Sequence, residues 1–282
     1  MLRIITPFSF SLFLLECGQL EPGRRLSILD VNIFNMSETS IHIALAAEKI
    51  GTFFGFPITN TLLMSFVVFA ILGTLTFSVR KNLSLIPGRM QTLVETLFVG
   101  ILDYMTETLE DARLARKLFP LILTIFLFIF TANIIEFTPG IGSIGWTHGD
   151  GEFIPLLRSM NTDMNTTLAL TIIAFVVIEV VGVATLGFFQ YGKKFVNLSS
   201  VLGFMVGIIE LFSEVARLVS YSFRLFGNIF AGEVMILVIQ HFVPMVLPVP
   251  VMLFEVFVGF IQAAIFALLT LFFVKIAITP AH

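Results

Sequence analysis

From Ser199 to Thr279 the sequence is apolar over a length that no single membrane crossing can use. A helical span of the hydrocarbon needs only about 20 residues. The main interruption is PMVLPVP at 244–250, whose prolines stop one helix and start the next. The stretch therefore reads as two long helices, 199–243 and 250–279, folded into a hairpin. Roughly 40 helical residues exceed the bilayer thickness about twofold, so these helices are expected to tilt strongly or to lie partly along the membrane plane. The rest of the chain agrees with a lipid solvent. Of 282 residues 57% are hydrophobic, 33 are Phe and only 12% are charged, against about 25% charged in a soluble domain.

Three further runs are long enough to span: 60–79, 118–137 and 166–189. Residues 87–117 open with Pro87 and Gly88 and mix acidic, basic and apolar positions, which suits an interfacial helix. The expected fold is an all-α polytopic membrane protein. It has three ordinary transmembrane helices, one interfacial helix and the C-terminal hairpin of two long, tilted helices, all in one membrane domain, 36–282. Arg80, Lys81, Arg89, Arg113, Arg116 and Lys117 crowd the 80–117 loop, and Lys193 and Lys194 the 190–196 loop, while 138–165 holds Arg158. The positive-inside rule then puts 80–117 and 190–196 on the cytoplasmic side and 138–165 outside. The extension 1–35 fits poorly. Ile5–Leu15 is too short to span, and Glu16 before Cys17 argues against a lipoprotein cleavage site. It reads either as a vestigial signal-like segment or as residues upstream of a native start at Met36.

Several functions are excluded. The net charge of −3 comes without any basic tail, so nucleic acid is not an expected partner. The single cysteine, Cys17, permits no intrachain disulfide, and no Cys/His spacing offers a metal site. No Walker loop, no GxGxxG following a strand and no HExxH appears, so no cofactor is expected.

Against this background SYSFRLFGNIFAGEV, 220–234, places Arg224 inside an apolar stretch. A central arginine costs roughly 3 kcal/mol on insertion scales. At about 100° per helical residue, Gly227, Asn228 and Ala231 fall within about 60° of Arg224, while Glu233 lies on the opposite face. Small residues four apart let another helix approach closely. Glu210, Arg217 and Arg224 recur at heptad spacing, with Ser213 and Glu214 nearby. In the second long helix Glu255, Gly259 and Gln262 share a face. An antiparallel hairpin levels Arg224 with Gln262 and Glu233 with Glu255. Such a seam is either satisfied structural polarity or an ion or proton pathway.

The run RLFGNIFAGE, preceded by GIIELFSEVARLVSYSF and followed by FEVFVGFIQAAIFALLTLFFV, resembles the membrane-embedded a subunit of F-type ATP synthases, the proton-channel stator. FPITNTLLMSF, IPGRMQTLVE, KLFPLILTIFLFIFTANIIEFTPG and NTDMNTTLAL extend the resemblance over most of the chain from Met36. The resemblance implies that Arg224 stands beside a rotating c-ring, favours its ionised carboxylates and separates two offset half-channels. A guanidinium suits that task because it does not lose its proton.

By the same resemblance Asn228 and Gln262 flank the arginine, and Glu233 and Glu255 belong to proton translocation in the outer half-channel. Relatives often pair an acid with a histidine at those last two positions; here two acids are expected to share a proton. Asp163 and Asn165 match the outer channel mouth, and Glu210, Ser213 and Arg217 the inner half-channel. Glu136 stands where many relatives have Gly, and reads as a solvated helix end or an extra channel carboxylate. The implied partners are the c-ring, b-type peripheral stalk subunits, the remaining synthase subunits and membrane lipid, with no catalysis by the chain alone. A prokaryotic plasma membrane is the expected location and an organellar energy-transducing membrane the alternative. A secondary transporter would be expected to show internal repeats and broken midplane helices, and a scaffold to tolerate a neutral residue at 224.

Overall fold

The computed structural model describes residues 47–53, 56–81, 84, 87–138, 145–147, 153–195, 201–243 and 246–279, all within one compact unit, Ala44–His282. The extension 1–35 and His148 lie outside the described residues. Seven α-helices make up the described fold: α1 (Asn60–Lys81), α2 (Arg89–Leu109), α3 (Ala112–Glu136), α4 (Met164–Leu186), α5 (Phe188–Phe195), α6 (Val201–Phe242) and α7 (Pro248–Ile278). Two antiparallel hairpins, β1 (Lys49–Phe53) with β2 (Phe56–Thr59) and β3 (Gly145–Thr147) with β4 (Phe153–Pro155), precede α1 and α4. Neither hairpin is signalled by a clear alternating pattern.

Four helices, α1, α3, α4 and α7, are long and apolar enough to cross a membrane. Their hydroxyls stay satisfied in that setting by bonding their own helix. Thr74, Thr76 and Thr124 donate to the carbonyls of Ala70, Leu72 and Pro120 at 2.6–2.8 Å. Phe66, Phe69 and Phe77 stand exposed on α1, as side chains solvated by lipid rather than by water would.

The expected element 87–117 is divided. Glu110 adopts a left-handed conformation (φ 57°) and closes α2 by donating its N–H to the Thr106 carbonyl. Asp111 then caps α3, its carboxylate accepting from the amides of Arg113 (2.7 Å) and Leu114 (3.2 Å). Those bonds, Leu114 first and Arg113 next, hold the exposed carboxyl below its ordinary range. The span therefore begins at 112, and Arg113, Arg116 and Lys117 sit in its first turns rather than in a separate surface helix. The signal was an aspartate two residues before Arg113, which satisfies amides that hydropathy does not register. Lys275 from α7 closes the same corner, reaching Glu110 Oε1 at 3.1 Å and the Leu109 carbonyl at 3.4 Å, a favourable place for a cation at a helix C-terminus.

The expected span 166–189 also ends early. Gly187 takes φ 84°, which an L side chain rarely adopts, and donates to the Val183 carbonyl at 2.9 Å. The chain turns there, and α5 folds back with Tyr191 buried.

The C-terminal helix α7 is the centre of the bundle, packing against α2, α3, α4 and α6. One apolar cluster joins Ile122, Ile178, Tyr191, Leu271 and Val274; a second joins Ile129, Tyr221, Leu225, Ala263 and Phe266. A third seats Met160, from the segment before α4, against Met64, Val68, Phe128 and Ala132. Polar bonds fix the crossings. Asn133 donates to the Gly259 carbonyl at 2.9 Å and accepts from Asn161 at 2.6 Å, so it bridges α3, α7 and that segment.

Candidate functional site

Arg224 lies on the face of α6 that no other part of the described chain covers. It is exposed, as are Asn228 and Ala231. A Cβ built on Gly227 meets nothing within 4 Å. Among the described residues the guanidinium's one hydrogen-bond contact is with the Ser220 hydroxyl, at 3.5 Å, the outer limit of a hydrogen bond. It also lines a small cavity with Tyr221, Leu225, Gln262, Phe266 and Leu269. The structure thus brings Arg224 and Gln262 together at one level of the hairpin, as the residue spacing requires. Asn228 lies along the same open face.

Toward the start of α6 stands a compact ionic cluster. Arg217 pairs with Glu210 at 3.3 Å and with Glu214 at 3.0 Å. Lys194 from α5 approaches the same two acids at 3.0 and 3.9 Å. Arg217 also lies over the Phe273 ring, 5.1 Å from its centroid. Alongside, the Tyr191 hydroxyl donates to Glu179 at 3.0 Å, and burial, the largest influence, holds that phenol above its ordinary range. Ser213 is not part of this cluster; its hydroxyl donates to the Ile209 carbonyl at 2.9 Å. Glu214, three residues before Arg217, takes the inward place instead and is 5% exposed. Tyr221 borders both the cavity beside Arg217 and the cavity beside Arg224.

Beyond Arg224 the other acids gather. Glu255 is buried against Gly232, where an added Cβ would collide with its carboxylate. Glu233 faces Arg158, with Glu233 Oε2 and Arg158 Nη2 3.6 Å apart. Glu136 accepts from the Ser159 hydroxyl at 2.7 Å and lies within electrostatic reach of Glu233, Glu255 and Arg158. The Glu136 side chain is thus bonded by a neighbouring segment and belongs to the acidic cluster.

Asp163 is bonded on both carboxylate oxygens. Its Oδ1 accepts from the Asn165 amide at 3.0 Å and side chain at 3.1 Å, capping α4, and its Oδ2 accepts from Thr61 at 3.2 Å. Lys194, Arg158 and Ser159 were not singled out from the sequence as site residues. No periodicity marks them, because each enters from a different element than the helix it serves.

Apolar helices with two ionisable clusters on either side of an outward-facing arginine define a class: polytopic membrane proteins with an ionisable seam within the bundle. Comparison with known proteins gives the family. Residues 61–275 match the family model described as ATP synthase A chain, and the chain belongs to that family. It is similar to "ATP synthase subunit a" of Campylobacter jejuni (strain 81-176), 34% identical over 190 residues, covering 67% of this chain and 77% of the relative. The corresponding protein of Geotalea uraniireducens is 31% identical over 218 residues, covering 77% of this chain and 87% of the relative. "ATP synthase subunit a 1" of Syntrophotalea carbinolica is 33% identical over 218 residues, with coverages of 77% and 85%.

Proposed function

We propose that this chain is the stator subunit of a rotary F-type ATP synthase, multi-pass in a bacterial plasma membrane. Protons pass through two offset half-channels to and from the carboxylates of a c-ring, and Arg224 keeps the two paths apart. The observation that carries this reading is the outward face of Arg224, Gly227, Asn228 and Ala231, left uncovered by the described chain and flanked along α6 by separate acid clusters. A charged group on an open apolar face needs an external counter-charge. A ring carboxylate supplies it, and the small residues let the ring approach.

The inner half-channel runs past Glu210, Glu214 and Arg217, with Ser213 at its side. The outer one runs past Glu233 and Glu255, with Asp163 and Asn165 holding its mouth. Gln262 and Asn228 flank the arginine. In this reading α6 and α7 form a hairpin tilted strongly to the membrane normal, since the 42 residues of α6 exceed one crossing. Helix α2, with apolar and charged positions mixed, lies at the cytoplasmic interface. Peripheral stalk subunits hold the chain still, and catalysis belongs to other subunits.

The test is Arg224→Ala in the assembled complex in vesicles. ATP-driven acidification is expected to be lost while the complex stays intact, and passive proton flux with the soluble head removed is expected to change. Normal coupled pumping would overturn the reading.

A further inference from the structure

The segment between β4 and α4 places two consecutive side chains on two different acids. Arg158 faces Glu233 of α6 at 3.6 Å, and Ser159 donates to Glu136 of α3 at 2.7 Å. The arginine is not a surface residue that happens to fold inward, since its side chain is only 10% exposed. Its backbone is pinned on the following residues. Met160 is fully buried, Asn161 bonds Asn133, Thr162 donates to the Ser159 carbonyl at 3.1 Å, and Asp163 caps α4. Glu233 Oε2 is buried and makes no hydrogen bond among the described residues, so the guanidinium is the charge facing it. Glu136 from α3 and Glu255 from α7 face the same place. Three acids from three helices thus converge where one segment inserts a permanent cation.

We infer that Arg158 is a positioning residue of the outer half-channel, compensating the negative charge that the cluster of Glu136, Glu233 and Glu255 carries and holding the Glu233 carboxylate in line. This rests on the function proposed above. Three carboxylates packed together repel one another, and a fixed cation lowers the cost of keeping charge there. Because the cation is anchored by its own segment and not by α6, the carboxylate of Glu233 keeps its place while α6 faces a moving partner.

The test measures ATP-driven proton pumping per assembled complex in vesicles for Arg158→Gln, Glu136→Gln and the double variant. Arg158→Gln is expected to lower pumping about tenfold. The double variant, with one acid fewer in the cluster that Arg158 serves, is expected to recover about threefold or more relative to Arg158→Gln. If Arg158→Gln prevents assembly, the double variant is expected to restore it. Native pumping in Arg158→Gln, or a double variant no better than Arg158→Gln in both assembly and pumping, would overturn the inference. Arg224→Ala is run alongside. Normal pumping there sinks the proposed function itself, whereas lost pumping there with an overturning result at Arg158 sinks only this inference.

Discussion

Glu255 of α7 lies so close to Gly232 of α6 that the glycine is the only residue type this crossing admits without movement. The two helices meet at a hydrogen atom, and the acid occupies the room a methyl group would need. The glycine is therefore part of the acid's site, although it carries no chemistry of its own.

Gly232→Ala is expected to displace the Glu255 carboxylate or push α6 from α7. The clash falls on the flexible end of a side chain, so its cost lies toward the low end of the range for core overpacking, about 1–3 kcal/mol. Thermal inactivation of the purified complex should come at lower temperature, and pumping should fall several-fold. Unchanged inactivation and unchanged pumping would show that the crossing is looser than the structure has it.

The inner cluster distinguishes Ser213, which the resemblance assigns to the inner half-channel, from its neighbour Glu214. Glu214→Gln removes a partner of Arg217 at 3.0 Å and of Lys194 at 3.9 Å, leaving both cations with Glu210 as their ion-pair partner among the described residues. Ser213→Ala removes a hydroxyl already bonded within its own helix. Pumping is expected to fall several-fold in Glu214→Gln and to stay within about twofold of native in Ser213→Ala, surface-type hydroxyl losses being small. The reverse order would return the channel role to Ser213.

Asp111 offers a pH test outside the spans. Its carboxyl is held below its ordinary range by the Leu114 and Arg113 amides. A depressed folded value means that the stabilisation is present above the unfolded value, about 3.9, and is lost as pH falls through the folded one. Hydrogen exchange of the Arg113 and Leu114 amides should thus be better protected in native chain than in Asp111→Ala at pH 6, with the gap closing below about pH 4. A gap independent of pH would mean that the carboxylate charge contributes nothing to the cap.

Much of the helical content was legible from hydropathy. The apolar runs around 60–79, 118–137 and 166–189 mark chain that is largely helical, because lipid forces backbone groups to bond within their own segment. The proline break falls where α6 ends at Phe242 and α7 starts at Pro248. Ends were legible only where a cap or a conformation was read. Asp111 and Gly187 moved two boundaries by several residues, and both act through local backbone bonds that a hydropathy window averages away.

The sequence by itself determined that the chain is a membrane protein, that Arg224 shares a narrow face with Gly227, Asn228 and Ala231, and that Gln262 stands level with it. Those facts follow from helical periodicity and from the antiparallel sense of a hairpin, both local or pairwise. Only the tertiary structure decided that Arg158 and Ser159 reach Glu233 and Glu136, that Lys194 joins Glu210 and Glu214, and that Thr61 of α1 donates to Asp163. These contacts join residues from separate elements whose meeting depends on how helices pack. Electrostatic partners inside a bundle are chosen by that packing, since a charge in a low-dielectric interior pairs with whatever the fold places within a few ångströms.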